Sequence, residues 1–175
     1  IGGGVNNTAP GACAVIAGGE GNSATVEAAA VVGGTSNSAS SNHAFVGGGL
    51  GNAASGIRST VAGGRLNTAS GNCSFVGGGC TNTASGAYSF IGGGQANCAT
   101  APYTVVVGGD SNAATQYRAF SGGGYDNTSS GYYSVVVGGY QNSATSFSFV
   151  GSGRANSASA GMSTIAGGQS NTASG

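Results

Sequence analysis

A fifteen-residue repeat runs along the whole 175-residue chain and constrains its fold more than any other feature. One asparagine marks each copy, and one residue is deleted just before Phe147. The marking residues are Asn7, Asn22, Asn37, Asn52, Asn67, Asn82, Asn97, Asn112, Asn127, Asn142, Asn156 and Asn171. With this Asn as position 1, the unit reads N-x-A-S-G-x-x-S-x-V-x-G-G-x-x. A unit this short cannot bury a face alone, so the period predicts stacked coils.

Three columns of the repeat tolerate little change. Position 3 is Ala in eleven of twelve copies, position 13 is Gly in all twelve, and position 10 is Val or Ile in all but Ser121. Paired glycines disfavour a helix, because each costs about 1 kcal/mol relative to Ala. We therefore predict an all-β parallel β-solenoid of about twelve fifteen-residue coils, with one β-branched residue of each coil buried.

The glycine pair and the asparagine suggest where each coil turns. Positions 12 and 13 predict a sharp corner with positive φ. Asparagine at position 1 predicts another corner, because Asn tolerates the left-handed (αL) backbone region. Its amide is expected to hydrogen-bond the copies above and below.

Positions 9 and 11, which share one face of a strand, compensate each other in size. Where position 9 is Phe, position 11 is Gly; where position 9 is Val, Ala or Thr, position 11 is Ala or Val. This predicts a neighbour at fixed spacing and hence side-by-side association of identical chains. A homotrimer suits the pattern, while a dimer or a different protein partner stays open. The predicted interface residues are Phe45, Phe75, Phe90, Phe120, Phe149, Val15, Val105 and Val135.

The repeats resemble the head repeats of trimeric autotransporter adhesins. The resemblance rests on the runs Ala69-Ser70-Gly71-x-x-Ser74-Phe75-Val76-Gly77-Gly78 and Ala84-Ser85-Gly86-x-x-Ser89-Phe90-Ile91-Gly92-Gly93. It implies a left-handed, homotrimeric parallel β-roll that binds host matrix or cell surfaces, and similar trimeric solenoids occur in phage and virus fibres. The present repeat differs in its period of fifteen rather than fourteen, its doubled glycine and its asparagine.

The exposed columns suggest a recognition surface. All eight charged residues and all seven tyrosines fall at positions 6, 7, 14 and 15. Exposed Tyr beside Arg is typical of recognition surfaces. The candidate receptor-binding residues are Tyr88, Tyr103, Tyr117, Arg118, Tyr132, Tyr133 and Phe147. The alternative is that these rings only cover the corners of neighbouring coils.

Composition argues against several other functions. With four Arg, no Lys and a net charge of zero, the chain lacks the concentrated cations that nucleic acid requires. No apolar run approaches the roughly 20 residues that span a bilayer. The single His43 has no second His or nearby carboxylate, and the four cysteines lack zinc-type spacing. We expect no enzyme activity, cofactor, metal or intrachain disulfide.

We therefore expect a structural fibre or adhesin segment, a trimeric surface rod that presents a receptor-binding face. Its expected partners are its own copies, as homotrimer or filament, and a host glycan or surface protein. Its expected location is extracellular, on a cell or virion surface. Residues 1–175 are expected to be a single uncapped array within a longer fibre.

Two alternatives to this function stay open. The first is a purely architectural, self-assembling extracellular filament. The second is an ice-binding solenoid, which the Ser and Thr columns at positions 2 and 4 suggest. Ala53, Cys98 and Ala113 interrupt the position-2 column.

Overall fold

The computed structural model describes residues 1–175 as a parallel β-solenoid of about eleven turns. Its two sheets contain eleven strands each, and every strand is two residues long. Each residue lies opposite the residue fifteen positions later, as Phe75 does with Phe90. Across the deletion the offset is fourteen, as for Val135 and Phe149. The prediction of an all-β parallel solenoid with fifteen-residue coils is confirmed.

The first sheet, called the valine sheet, consists of positions 9 and 10. Its strands are β1 (Val15–Ile16), β3 (Ala30–Val31), β5 (Phe45–Val46), β7 (Thr60–Val61), β9 (Phe75–Val76), β11 (Phe90–Ile91), β13 (Val105–Val106), β15 (Phe120–Ser121), β17 (Val135–Val136), β19 (Phe149–Val150) and β21 (Thr164–Ile165). With strands about 4.8 Å apart, ten steps make the sheet about 48 Å long.

The second sheet, called the alanine sheet, consists of positions 2 and 3. Its strands are β2 (Ser23–Ala24), β4 (Ser38–Ala39), β6 (Ala53–Ala54), β8 (Thr68–Ala69), β10 (Thr83–Ala84), β12 (Cys98–Ala99), β14 (Ala113–Ala114), β16 (Thr128–Ser129), β18 (Ser143–Ala144), β20 (Ser157–Ala158) and β22 (Thr172–Ala173). Positions 5–7 connect the two sheets along one edge of the roll, and positions 12–15 connect them along the opposite edge.

A third ladder joins the coils at position 14, where isolated parallel bridges run from Val5 and Glu20 to Arg154 and Gln169. Backbone hydrogen bonds also join the connecting segments of successive coils, as the Gln95 N–H donates to the Gly109 carbonyl at 2.9 Å and the Ala96 N–H to the Cys80 carbonyl at 3.0 Å. The connecting segments therefore help to hold the coils together, which satisfies their backbone polar groups.

The core lies between the two sheets and is built from small side chains. Val or Ile at position 10 and Ala at position 3 are almost all fully buried. No Phe or Tyr is among the buried residues. The predicted burial of one β-branched residue per coil is thus confirmed, position 3 is buried as well, and the interior is narrow.

A ladder of buried asparagine amides runs along this interior. In the central coil, the Asn97 backbone N–H donates to Asn82 Oδ1 at 3.0 Å. Asn97 Nδ2 donates to the Gly93 carbonyl at 3.0 Å and to the Gly109 carbonyl at 2.9 Å. Asn97 Oδ1 accepts the Asn112 backbone N–H at 2.9 Å. The predicted amide bonding between copies is confirmed.

The corner prediction is correct for glycine and wrong for asparagine. Every position-13 glycine has positive φ, between 84° and 102°. At position 12, only Gly48, Gly78 and Gly123 do. The position-1 asparagines do not have positive φ, and almost all of them are buried. The left-handed residues are instead those at positions 7 and 15.

Glycine is required at position 13 for a second reason. A Cβ on Gly94 would lie 2.7 Å from Asn97 Nδ2 and would overlap the Gly109 carbonyl oxygen. The missing side chain lets the asparagine amide bridge two coils. Positions 1 and 13 therefore form one structural unit.

Replacing Asn97 by Ala would leave the Asn112 N–H and the Gly93 carbonyl without the partner that the amide supplies, and the Gly109 carbonyl would keep only the Gln95 N–H. Each unsatisfied buried group costs about 1–3 kcal/mol, so we expect a loss of at least about 2 kcal/mol in the free energy of unfolding, measured by urea denaturation. Asn42→Ala, which removes an exposed amide outside the ladder, should change it by less than about 0.5 kcal/mol. Equal effects of the two variants would contradict a structural role for the ladder.

Two serines interrupt the apolar core. Ser121 takes the place of Val at position 10, and Ser129 takes the place of Ala at position 3 in the next coil. Ser129 Oγ donates to the Phe120 carbonyl at 2.6 Å, whereas Ser121 Oγ is buried without a partner. The core divides here, with seventeen apolar residues up to Ala119 and five from Val136 onward.

Restoring the consensus pair with Ser121→Val and Ser129→Ala should join the two core clusters. Because an unpaired buried hydroxyl costs about 1–3 kcal/mol, the double variant should unfold at higher urea concentration than the wild type. Ser129→Ala alone removes a satisfied hydrogen bond and serves as the comparison. A double variant less stable than the wild type would show that the polar layer is stabilising.

Candidate functional site

The candidate recognition residues lie on a tight turn at one edge of the roll. In most coils the N–H of position 8 donates to the carbonyl of position 5, as Ser89 does to Gly86 at 3.2 Å. Position 7 is the third residue of this turn and has positive φ in all eleven coils, 58° at Tyr88. A non-glycine residue in this region costs about 1–2 kcal/mol. The chain nevertheless places Tyr, Arg and Phe there.

Five rings follow one another along this edge, here called the aromatic strip: Tyr88, Tyr103, Tyr117, Tyr133 and Phe147. Tyr88 and Tyr103 stack with centroids 5.0 Å apart, and Tyr133 and Phe147 stack at 5.5 Å. Tyr117 joins the two pairs edge-on, at 5.5 Å from Tyr103 and 5.9 Å from Tyr133. The strip spans four coil steps, about 19 Å.

Arg118 lies at the centre of the strip. Its guanidinium carbon is 5.7, 5.1 and 5.5 Å from the ring centroids of Tyr103, Tyr117 and Tyr133. Its Nη1 is 3.5 Å from the Tyr133 hydroxyl. Arg118 itself is exposed to solvent. The three rings therefore hold an accessible cation in a defined position.

The structure brings together six of the seven predicted receptor-binding residues. Tyr132 lies at position 6 on the same edge and is 52% exposed, but it pairs with no other ring. The alternative, that these rings only cover neighbouring coils, also holds in part, because the stacked rings cover one another's faces. The strip still remains open to solvent, with Tyr133 44% and Phe147 56% exposed.

A second aromatic group lies on the opposite edge, at position 14. Tyr125 and Tyr140 stack at 5.3 Å, and the Arg154 guanidinium lies 5.3 Å from the Tyr140 centroid. Beside them, Gln141 Nε2 donates to Asp126 Oδ2 at 3.0 Å. Sequence reasoning did not single out this group, although the recurrence of Tyr and Arg in one column was a usable signal.

The predicted interface residues share one exposed face. Positions 9 and 11 on the outer side of the valine sheet form what we call the apolar stripe. Val15 is 55% exposed and Phe90 39%, while Phe75 is half-buried and stacks on Phe90 at 5.3 Å. The prediction omitted three position-11 residues on the same face that are about half exposed: Val32, Val107 and Val137.

The size compensation between positions 9 and 11 arises within one chain. A Cβ on Gly122 would lie 3.3 Å from Phe120 Cε1 and would overlap the Val137 carbonyl oxygen of the next coil. Gly77 and Phe75 show the same approach. The phenylalanine ring thus leans over the glycine two residues on. An intrachain contact can therefore account for the compensation, which by itself does not show that a partner chain is present.

Gly122→Val should lower stability by about 1–3 kcal/mol, because its Cβ crowds the Phe120 ring and overlaps the Val137 carbonyl oxygen. The double variant Phe120→Val, Gly122→Val recreates the Val/Val pair of both adjacent coils, so it should recover the part of the loss that the ring causes. Thermal unfolding of the wild type and of both variants measures this coupling. Because the contact is intrachain, the coupling energy should not depend on protein concentration; a coupling that vanishes on dilution would contradict this explanation.

The outer face of the alanine sheet is an uncharged surface of small side chains. Position 2 is half-buried and position 4 is mostly exposed. Some position-4 hydroxyls donate to the next coil, as Thr145 Oγ1 does to the Ala158 carbonyl at 3.1 Å. Some hydroxyl groups of this face therefore help to join successive coils.

No three His, Cys, Asp or Glu side chains lie close enough together to hold a metal ion, the surface has no pocket, and the four cysteines are unpaired. No helix has the length and apolar character needed to cross a membrane. Neither protein-family models nor curated proteins match this chain.

Proposed function

We propose that this chain forms a homotrimeric fibre segment on a cell or virion surface, and that it presents the aromatic strip for recognition. In this proposal the apolar stripe is the contact between chains. The adhesin head repeats that the sequence resembles are expected to have the same overall plan.

The observation that carries the proposal is the continuity of the stripe. It is uncharged along all eleven strands of the valine sheet and about 48 Å long. Monomeric soluble proteins rarely expose contiguous apolar patches larger than a few hundred Å². Identical stripes on identical chains are buried most simply by closed cyclic symmetry. In each coil, positions 9 and 11 together hold one large side chain or two medium ones. Three such layers, one from each chain, fit around a threefold axis.

The proposed recognition role of the strip is supported by large side chains at a strained backbone position. Position 7 is left-handed in every coil, where glycine would be least strained. Tyr, Arg and Phe occupy it in consecutive coils and stay accessible. Residues in unfavourable backbone regions concentrate at functional sites. The strip also lies outside the stripe, so assembly would leave it free.

Particle mass tests the trimer. By sedimentation velocity, the wild type should have three times the 16.3 kDa mass of one chain. Phe75→Asp with Phe90→Asp places two charges in the stripe and should reduce the particle to single chains, because burying an unpaired charge is costly. Circular dichroism shows whether the separated chains keep their β structure.

A matched control removes a similar ring pair from another surface. Tyr125→Asp with Tyr140→Asp changes two rings stacked at the same 5.3 Å spacing on the opposite edge. This variant should keep the full particle mass. A wild type of single-chain mass at all concentrations, or equal dissociation of both variants, would refute the proposed interface.

A further inference from the structure

We infer that the aromatic strip binds an anionic saccharide, and that Arg118 takes the carboxylate or sulfate of the sugar. The inference rests on the proposed recognition role of the strip and names the class of its ligand. It does not depend on the trimer, because every residue of the strip belongs to one chain.

The first argument is the charge of this edge. Among positions 6 and 7, the only acid is Glu27, six coil steps or about 29 Å from Arg118. Arg58 lies in the same column, four steps or about 19 Å away. The remaining acids occupy positions 14 and 15 on the opposite edge. The charge of Arg118 is therefore not neutralised locally and is available to an anionic ligand.

The second argument is that the guanidinium is held in place before any ligand arrives. Three rings lie within 5.7 Å of it, and the backbone of Arg118 is fixed in the left-handed region with φ 56°. A restrained group loses less conformational entropy on binding. A guanidinium also matches the two oxygens of a carboxylate or sulfate with parallel hydrogen bonds.

The third argument is the shape of the strip. It is a ridge one residue wide and about 19 Å long, on a surface without a pocket. A ligand that follows it must be linear and narrow. Stable protein–protein contacts bury about 800 Å² on each partner, whereas Tyr88, Tyr103, Tyr133 and Phe147 are each only about half exposed.

The fourth argument is the chemistry of the ridge. Stacking between Tyr88 and Tyr103 covers the faces that the two rings turn toward each other, and both side chains remain about half exposed. Each Tyr offers an apolar body and a hydroxyl that both donates and accepts, which matches the alternating C–H and hydroxyl groups of a sugar chain. Nucleic acid would need many more cations than two arginines four coils apart.

The opposite edge provides a matched control. Arg154 stacks on Tyr140 at 5.3 Å, as closely as Arg118 approaches its own rings. Asp126 and Asp110, however, lie in the columns of that edge, two and three coil steps or about 10 and 14 Å from Arg154 along the roll. Because these carboxylates lower the local positive potential, Arg154 is not expected to bind an anionic sugar.

Calorimetric titration of the full chain with four six-unit probes tests the inference: hexagalacturonate, sulfated maltohexaose, neutral maltohexaose and hexaglutamate. At least one anionic saccharide should bind, with an affinity that falls as salt rises, and at least about tenfold more tightly than maltohexaose and hexaglutamate. Arg118→Gln should weaken this binding by about tenfold or more. Arg118→Lys should bind more tightly than Arg118→Gln but less tightly than the wild type. Arg154→Gln should stay within about twofold of the wild type.

Three results would overturn the inference: no binding of either anionic saccharide, equal losses in Arg118→Gln and Arg154→Gln, or hexaglutamate binding as tightly as the sugars. Which anionic probe binds more tightly identifies carboxylate or sulfate as the preferred group. Particle mass measured on the same samples separates the two proposals. A single chain that binds the sugar would refute only the trimer, whereas a trimer that binds none of the probes would refute only the saccharide site.

Discussion

The buried asparagine amide is the interaction on which the rest of the solenoid depends. Alanine and valine fill the interior, so the apolar area that each coil buries is small, and burial alone contributes modestly. The amide adds direct bonds between successive coils, and all of its donors and its acceptor are used. Because a slipped coil would leave these groups unpaired, the ladder sets the fifteen-residue register. Glycine at position 13 follows from it, since any side chain would block the amide.

That register determines the spacing of the surface. Side chains in one column recur at the coil spacing. The stacking of the coils is therefore sufficient to bring the rings of Tyr88 and Tyr103 to 5.0 Å from each other. The deletion before Phe147 is absorbed in the turn at positions 5–7, and both sheets regain their register on either side of it. The exposed columns can therefore vary while the interior stays constant. The charged residues and tyrosines are accordingly confined to positions 6, 7, 14 and 15.

The interior was predictable because its columns repeat in the sequence. Gly94 and the other position-13 glycines predicted the corner, and Asn97 with its equivalents predicted amide bonding between coils. The left-handed residues at position 7 were not predictable, because the usual Gly or Asn is absent and the backbone ladders of adjacent coils impose that conformation. The size compensation between Phe120 and Gly122 predicted a contact between chains, whereas the structure places the two residues against each other within one chain. A sequence shows that two positions compensate, but not which chain supplies the contact.

The stripe and the strip lie on different surfaces of the roll, and this separation links the two proposals. The stripe covers the outer face of the valine sheet, whereas the strip follows the edge that connects the two sheets. Burial of three stripes at a common axis would leave three strips exposed at the same height around the rod. One guanidinium and a few rings can bind a sugar only weakly. Three equivalent edges raise the effective concentration of binding sites toward a branched or dense glycan surface, so avidity can compensate for weak individual sites. A trimeric rod with three such strips would therefore bind a glycan surface firmly without a deep pocket.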